Sequence, residues 1–315
     1  MTEIKKMATR EGYGQMLIEL GAENENLVVL DADLSKSTKT ECFRKAYPGR
    51  FFDCGIAEAN MMSIAAGLAA AGKTVFASSF AMFAAGRAFE QIRNSIGYPG
   101  LNVKIGASHA GISVGEDGAS HQCCEDIALM RTIPGMTIIN PADGVEAAMA
   151  TRAAAEMDGP VYLRFGRLAV PVIFNSDYNF EIGKGVQLRD GGDVTIIATG
   201  LMVNEALIAH DMLKSRGINA RVINMHTIKP IDREIIIKAA KETGAVVTAE
   251  EHSIIGGLGS AVAEVLSEDA PTPLVRVGVM DEFGRSGPAV ELLKLFGLSA
   301  ENIADRAGQA IAKKL

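Results

Sequence analysis

Hydrophobic and polar positions alternate along this chain in two rhythms. Short apolar runs rich in valine and isoleucine are separated by longer segments with helical periodicity. That combination is typical of parallel strands joined by helices rather than of sandwiches or helical bundles. In the first half of the chain it predicts strands at 27–30, 50–53, 74–77, 103–107, 136–139 and 161–163.

The periodicity lapses between Leu168 and Arg189, where proline, asparagine and aspartate interrupt it. This stretch is too irregular for a regular element and long enough to cross between domains. Beyond it, strands are predicted at 194–198, 220–224, 245–249 and 274–277, and helices at 204–214 and 232–242. We therefore predict an α/β protein with two doubly wound domains, residues 1–175 and the smaller 191–315, joined by a linker over 176–190.

Composition narrows the possible partners and the compartment. The chain of 315 residues has 38 acidic and 31 basic side chains and a net charge of -7, which argues against a nucleic-acid partner. Its four cysteines form no C-x-x-C pair and are too sparse for a disulfide framework, which suits a reducing cytosol. Because no apolar run resembles a signal peptide or a membrane span, we expect a soluble, cytoplasmic protein without a membrane partner.

Glu58 is the first candidate for chemistry. The segment DCGIAEANMMSIAAGLA at 53–69 follows a predicted strand and places Glu58 in the first turn of a helix. From spacing alone, the favoured interpretation is an acid that complements the helix dipole. The alternative is that its small neighbours admit a flat ring, with the carboxyl meeting a ring nitrogen.

Aromatic residues are concentrated in the next strand-to-helix segment, where Phe80 and Phe83 lie three positions apart. That spacing puts both rings on one helical face and usually indicates core packing. A stacking platform for a heterocycle is the functional alternative.

The loop at 106–122 combines four glycines with His109, Asp117 and His121. A polar, flexible loop of this kind often carries function. A metal site built from these three side chains is conceivable, but their spacing matches no familiar ligand pattern. Polar contacts from the imidazoles to a substrate fit better, because histidine both donates and accepts near neutral pH.

These three segments, in this order and separation, resemble the pyrimidine-binding domain of transketolases. The most specific match is His109 followed by GEDGASHQ at 115–122, IPGM at 133–136 and NPADG at 140–144. Further matches are ATR at 8–10, DADLSKS at 31–37 and LR at 163–164. The similarity extends over essentially the whole chain, which implies that the second domain is the smaller transketolase C-terminal domain.

The resemblance implies a thiamine diphosphate-dependent transferase that moves a two-carbon ketol unit from a ketose phosphate to an aldose phosphate. Glu58 and His121 would be the catalytic residues, with Glu58 acting on the pyrimidine ring nitrogen of the cofactor. Phe80 would stack on that pyrimidine, and Phe83 would line the same pocket.

The resemblance also implies a set of substrate-binding residues. Three potentially cationic groups and a hydroxyl suit the dianion of a sugar phosphate. By resemblance the phosphate-binding residues are Arg10, Ser37, His109 and Arg164, and the residues that contact the substrate hydroxyls or carbonyl are Asp117 and His121.

The cofactor's magnesium ion is expected on another chain. A complete transketolase is roughly twice this size, and its diphosphate and magnesium motif begins with GDG and ends in Asn. GGD at 191–193 lacks the final glycine and the spacing of that motif, so no Mg2+ ligands are expected here. The resemblance therefore implies the C-terminal subunit of a split transketolase, with an N-terminal partner subunit and self-association of such pairs.

Two motifs of the second domain receive structural interpretations. Gly256, Gly257 and Gly259 resemble a weak phosphate-binding turn, but a tight strand-to-helix turn is favoured. The segment at 281–287, DEFGRSG, is similar to a late loop of the family and has no predicted role.

Three other functions remain open. A beta subunit of a 2-oxoacid dehydrogenase has the same two domains, but its substrate has no phosphate for Arg10 and Ser37 to bind. Deoxyxylulose phosphate synthase shares the folds, yet it is one long chain and normally has arginine where this chain has His109. A non-catalytic relic that only binds a partner is less consistent with the presence of Glu58, Asp117 and His121.

Overall fold

The computed structural model describes residues 5–175 and 177–314. The strands are β1 (Lys6–Ala8), β2 (Leu27–Asp31), β3 (Phe51–Asp53), β4 (Thr74–Phe80), β5 (Val103–Ser108), β6 (Thr137–Ile139), β7 (Val161–Arg164), β8 (Ala169–Pro171), β9 (Val186–Arg189), β10 (Val194–Ala198), β11 (Ala220–Asn224), β12 (Thr227–Lys229), β13 (Val246–Ser253) and β14 (Leu274–Val279). The helices are α1 (Thr9–Glu23), α2 (Ser35–Thr38), α3 (Glu41–Ala46), α4 (Glu58–Ala70), α5 (Phe89–Gln91), α6 (Asp126–Arg131), α7 (Gly144–Glu156), α8 (Met202–Ser215), α9 (Arg233–Thr243), α10 (Leu258–Asp269), α11 (Ala289–Leu295) and α12 (Ala300–Ile311).

The first sheet has seven strands in the order β12-β6-β7-β5-β4-β2-β3, all parallel except the edge strand β12. Strand β4 sends Val75 and Ala77 into the core beneath α4 and α6, and Phe76 into the opposite core beneath α1 and α7. That alternation is what a strand covered on both faces requires.

The second sheet has five strands in the order β14-β13-β10-β11-β9, with the edge strand β9 antiparallel. In β10, Ile196 and Ala198 pack on the α8 and α12 side, whereas Ile197 packs on the α9 and α10 side. Both halves of the chain are therefore doubly wound, and the predicted fold class is confirmed.

The two sheets are joined by main-chain and side-chain bonds. Strand β12 follows β11 of the second sheet in sequence, yet it pairs with β6 of the first. Next to this pairing, the backbone N–H of Asn140 donates to the His226 carbonyl at 2.7 Å. Lys229 Nζ donates to the carbonyls of Arg131 and Ile133 at 2.8 and 2.6 Å.

The sequence predicts no regular element between Leu168 and Arg189, and this prediction is wrong. This stretch contains β8, which pairs with β1, and β9, which forms an edge of the second sheet. Both strands are short edge strands whose pairing partners are distant in sequence, so local periodicity does not reveal them. The residue boundaries of the two domains stay a prediction.

Within residues 5–175 and 177–314, no helix combines the length and apolar character that crossing a bilayer demands.

Candidate active site

Glu58 occupies the start of α4, at the carboxyl-end edge of the first sheet. The turn before it is held by Asp53, whose Oδ1 accepts hydrogen bonds from the backbone N–H groups of Asp33 and Gly55 at 3.1 and 3.0 Å. The Glu58 side chain is only 1% exposed. Its Oε2 accepts a hydrogen bond from Arg87 Nη1 at 2.8 Å, so a nearly buried carboxylate is paired with a half-exposed guanidinium.

Glu58 lines an open cavity of about 440 Å³. Phe83, Arg87 and His121 line the same cavity, and the exposed Ile56 lies at its rim. The Arg87 guanidinium lies over the Phe83 ring, 4.6 Å from its centroid. The structure therefore brings a buried acid, an aromatic wall and an imidazole to one cavity.

Four rings connect this cavity to the loop at 106–122. The Phe83 ring meets His121 edge-on with centroids 5.2 Å apart, and stacks at 5.9 Å against Phe80. Phe80 is buried and stacks on His109 at 3.9 Å. His109 covers one face of Phe80, and the rings that line the cavity are those of Phe83 and His121. Stacking of Phe80 on a pyrimidine stays a prediction.

A cationic cluster lies beyond this row of rings. Arg10 Nη1 donates to the Ser37 carbonyl at 2.7 Å, and its buried Nε has no hydrogen-bond partner among the described residues. Burial, followed by the positive charges of Arg10, Arg167 and His121, lowers the pKa of His109 to about 3. His109 is therefore neutral at physiological pH, and the fixed positive charge comes from the two arginines.

Arg164 is not part of this cluster, and this corrects the sequence-based expectation. Its side chain is 3% exposed, and its Nε donates to Asp126 Oδ2 at 2.8 Å. Its Nη2 donates to the carbonyl of Glu251 at 2.9 Å. The guanidinium is thus engaged in a buried ion pair under the loop, where it neutralises Asp126.

Arg167, three residues beyond Arg164, is the arginine whose charge acts on Arg10 and His109. Burial lowers the pKa of Arg10 and of His109, and the positive charge of Arg167 lowers both further. Arg167 Nη1 donates to the Val114 carbonyl and, at 2.9 Å, to Glu116 Oε2. The distance of each arginine from the end of β7 indicates this difference. Arg164 is the last residue of the strand and is buried, whereas Arg167 lies three positions later, on the loop at the carboxyl end of the strand, where ligands bind in parallel sheets.

Asp117 and His109 lie on the same loop as His121. Asp117 is exposed at the end of a 3-10 turn over Ile112–Asp117, four residues before His121. His109 adopts a left-handed φ of 57°, an uncommon backbone state for a residue with a side chain and one that concentrates at functional sites. Within the described part of the chain, no three His, Cys, Asp or Glu side chains lie close enough together to hold a metal ion.

Arg87 was missed by the sequence analysis. It ends a π-helical turn over Met82–Arg87, and such turns are frequent at functional sites. In a regular α-helix Arg87 would be one turn beyond Phe83, and only the tertiary structure shows that it reaches Glu58.

The glycine-rich turn at Gly256–Gly259 binds a carboxylate of the protein itself. The buried Glu250 accepts hydrogen bonds from the N–H groups of Leu258 and Gly259 at 2.7 and 2.8 Å. An added Cβ on Gly257 would overlap this carboxylate. Because Glu250 already occupies the helix N-terminus, the turn is structural.

Comparison with known proteins agrees with this arrangement. Residues 5–172 match the family description "Transketolase, pyrimidine binding domain", and residues 183–303 match "Transketolase, C-terminal domain". The chain is 57% identical over 308 residues to a putative transketolase C-terminal section of Methanocaldococcus jannaschii, covering 97% of this chain and 96% of that protein.

Two further similarities are informative. The chain is 46% identical over 305 residues to the 6-deoxy-6-sulfo-D-fructose transketolase subunit SqwH of a Clostridium species, covering 97% of this chain and 95% of that protein. A solved structure described as a split gene transketolase, inactive beta4 tetramer, superimposes with a TM-score of 0.91 at 55% identity, covering 99% of this chain and 100% of the other. The chain therefore belongs to the transketolase family, of which it carries the pyrimidine-binding and C-terminal domains.

Proposed function

We propose that this chain is the C-terminal subunit of a thiamine diphosphate-dependent transketolase that transfers a two-carbon ketol unit from a ketose phosphate to an aldose phosphate. The observation that carries this proposal is the shared cavity of Glu58, Phe83 and His121, with a cationic cluster beyond it. The cavity offers a carboxyl and an aromatic wall to a planar cofactor, and the cationic cluster offers a second binding position to an anionic group.

The residues of the cavity fit an aminopyrimidine. The nearly buried Glu58 carboxyl can form a hydrogen bond to a ring nitrogen, and Phe83 offers an aromatic wall beside it. When bound, thiamine diphosphate supplies the electron sink for making and breaking the carbon–carbon bond. Glu58 would hold and exchange a proton at the pyrimidine nitrogen, and release of the Arg87 pair would free its Oε2 for this contact.

The other polar residues would bind the sugar phosphate. Arg10 and Arg167 present fixed charges to the phosphate, because guanidinium groups pair well with phosphate oxygens. Ser37 and the neutral His109 would add uncharged hydrogen bonds. His121, at the cavity wall, would contact the substrate hydroxyls or carbonyl, together with Asp117 from the same loop.

An N-terminal partner subunit would complete the site with the diphosphate and magnesium (Mg2+) ligands. Two observations support this part of the proposal: the similarity to a protein named as a C-terminal section, and the similarity to a split-gene tetramer described as inactive. Ile56, which is 77% exposed at the cavity rim, is an apolar side chain that such a partner would cover.

The test is ketol transfer from xylulose 5-phosphate to ribose 5-phosphate with magnesium and thiamine diphosphate. The chain would be assayed alone, with a candidate partner that carries the GDG-to-Asn motif, and as Glu58→Ala in the mixture. Activity only in the wild-type mixture supports the proposal. A mixture that instead decarboxylates a 2-oxoacid would assign the chain to the dehydrogenases, and a mixture inactive in both assays, with the two subunits bound, would favour the relic.

A sulfonated donor is the second candidate substrate, because the chain is 46% identical to a sulfofructose transketolase subunit. A sulfonate is a monoanion of similar shape to phosphate, so the same two arginines could bind it. The ratio of kcat/KM for a ketose phosphate and for 6-deoxy-6-sulfofructose decides between the two substrates.

A further inference from the structure

The late loop at 281–287 of the second domain lies against the loop that carries His121. Gln122 makes the connection: it is 4% exposed, and its Nε2 donates to the Arg285 carbonyl at 2.9 Å. The same Nε2 lies 3.1 and 3.4 Å from the carbonyls of Ile112 and Gly115. One amide group therefore links two backbone carbonyls of the His121 loop to the second domain.

The two loops are in contact at positions where a larger side chain would not fit. A Cβ built on Gly284 would overlap Gln122 Oε1, and a Cβ built on Gly118 would overlap Ser286 Oγ. Gly284 does not have a left-handed φ. Close contact with Gln122, rather than backbone conformation, is therefore what requires glycine at position 284.

The side chains of His121 and Gln122 contact different parts of the molecule. His121 lines the Glu58 cavity and meets the Phe83 ring edge-on, whereas Gln122 bonds to the late loop. The His121 ring is only half-buried, and its Nδ1 hydrogen-bonds to Ser120 Oγ in the same loop at 3.0 Å. Because consecutive residues share a peptide unit, the bonds of Gln122 also fix the backbone from which His121 projects.

We propose that Gln122 is a positioning residue for His121, and that the late loop of the C-terminal domain acts on the active site through it. The catalytic consequence rests on the proposed function, whereas the structural coupling does not. The second domain thereby has a role in the reaction in addition to its part in the architecture.

The coupling can be tested without any assay of activity. Gly284→Ala should displace the Gln122 amide and increase hydrogen–deuterium exchange at the backbone N–H groups of Gly118, His121 and Gln122, which bond within the loop. We expect exchange to rise on the order of tenfold there. Gly192→Ala, where an added Cβ meets nothing within 4 Å, is the matched control. Unchanged exchange in the 118–122 segment would overturn the proposal.

The catalytic role is tested by a double-mutant cycle on kcat/KM in the complete enzyme. Gln122→Ala should lower kcat/KM by on the order of tenfold to a hundredfold, as a small misplacement of a contact residue does. In a His121→Ala background, Gln122→Ala should cause little further loss, because it acts through His121. Independent, multiplying effects of the two substitutions would show that Gln122 does not act through His121.

A variant of nearly unchanged size separates positioning from folding. Gln122→Met keeps the length of the side chain and removes the N–H donors without burying a charge, so it should reproduce the loss in kcat/KM while circular dichroism and the Tm show that the complete enzyme stays folded. Wild-type kcat/KM in Gln122→Met would contradict the proposal. If exchange responds to Gly284→Ala but no mixture catalyses ketol transfer, the coupling stands and the proposed function fails.

Discussion

Two arginines three positions apart show how burial decides the role of a residue. Arg164, inside β7, is buried and paired with Asp126, whereas Arg167, beyond the strand end, lies near Arg10 and His109. The sequence presents both as cations after a strand. Only the depth of each guanidinium separates a structural ion pair from a candidate phosphate ligand.

Arg164→Met should therefore affect stability more than binding. Its removal leaves Asp126 as a buried charge without its partner, which costs on the order of 3–5 kcal/mol of the free energy of unfolding. Urea denaturation checks this, with Arg167→Met as the control, because that partly exposed side chain should cost at most about 1 kcal/mol. Equal losses in the two variants would contradict the assignment.

Arg167→Gln should affect binding more than stability. Loss of a charged hydrogen bond to a phosphate removes about 1.5–3 kcal/mol, so we expect the KM for a ketose phosphate to rise about tenfold or more. Steady-state kinetics with the phosphorylated donor and with an unphosphorylated ketose measure the effect. The unphosphorylated donor should be insensitive, and a similar loss for both donors would show that Arg167 does not bind the phosphate.

Lys104 gives a prediction about pH. It lies fully buried in β5, where its Nζ donates to the carbonyls of Met157 and Gly159, and burial lowers its pKa to about 7. An unfolded lysine titrates near pH 10.4. Between about pH 7 and about pH 10, the unfolded chain therefore binds a proton that the folded chain has released, and this raises the free energy of unfolding as pH increases.

Measured against Lys104→Met, the free energy of unfolding of the wild type should increase by up to about 1.4 kcal/mol per pH unit from pH 7 upward. Urea denaturation of both proteins between about pH 7 and about pH 9 gives the difference directly. A difference that stays flat with pH would mean that Lys104 remains protonated in the folded protein.

At the scale of elements, the N-terminus of α7 is tied to the chain segment that leads to the second domain. Asp143 Oδ1 accepts a hydrogen bond from the Glu146 N–H at 2.8 Å, as an N-cap does. Its Oδ2 accepts from the N–H groups of Ile173 and Phe174 at 2.5 and 2.9 Å. One buried carboxylate therefore both begins a helix and holds the crossing segment.

Asp143→Ala should lower the free energy of unfolding by roughly 3 kcal/mol, because it removes a cap and leaves the partly buried N–H groups of Ile173 and Phe174 without this acceptor. Ser299→Ala is the control, since the Ser299 hydroxyl caps α12 with a long 3.4 Å bond from the Asn302 N–H and otherwise bonds to the exposed Glu301 side chain of the same helix. The control should lose about 1 kcal/mol or less. Urea denaturation compares the two, and an equal cost would show that the crossing segment does not depend on Asp143.

At the scale of the whole molecule, the two domains should unfold together. Strand β12 completes the first sheet from within the second half of the chain, and buried polar groups such as Glu251, whose Oε1 accepts from the Ser113 N–H at 2.6 Å, bridge the domains. Differential scanning calorimetry should show one transition with equal calorimetric and van't Hoff enthalpies. Two resolved transitions would show that the domains are energetically independent.

The sequence by itself determined the α/β class, the two doubly wound halves and the loops that carry candidate chemistry. Those features depend on local periodicity and on motifs such as the string from His109 to Gln122, which are readable along the chain. The family membership also follows from these motifs, and the comparisons confirm it.

Tertiary structure alone decided which charged groups face one another. The pairing of Arg164 with Asp126, the pairing of Arg87 with Glu58 and the pairing of β12 with β6 all join residues that are distant in sequence. Periodicity reports which face of an element is apolar, but burial and pairing depend on what packs against that face. For the same reason, the contact between Gln122 and the late loop cannot be predicted from the sequence, because it joins residues of two different domains.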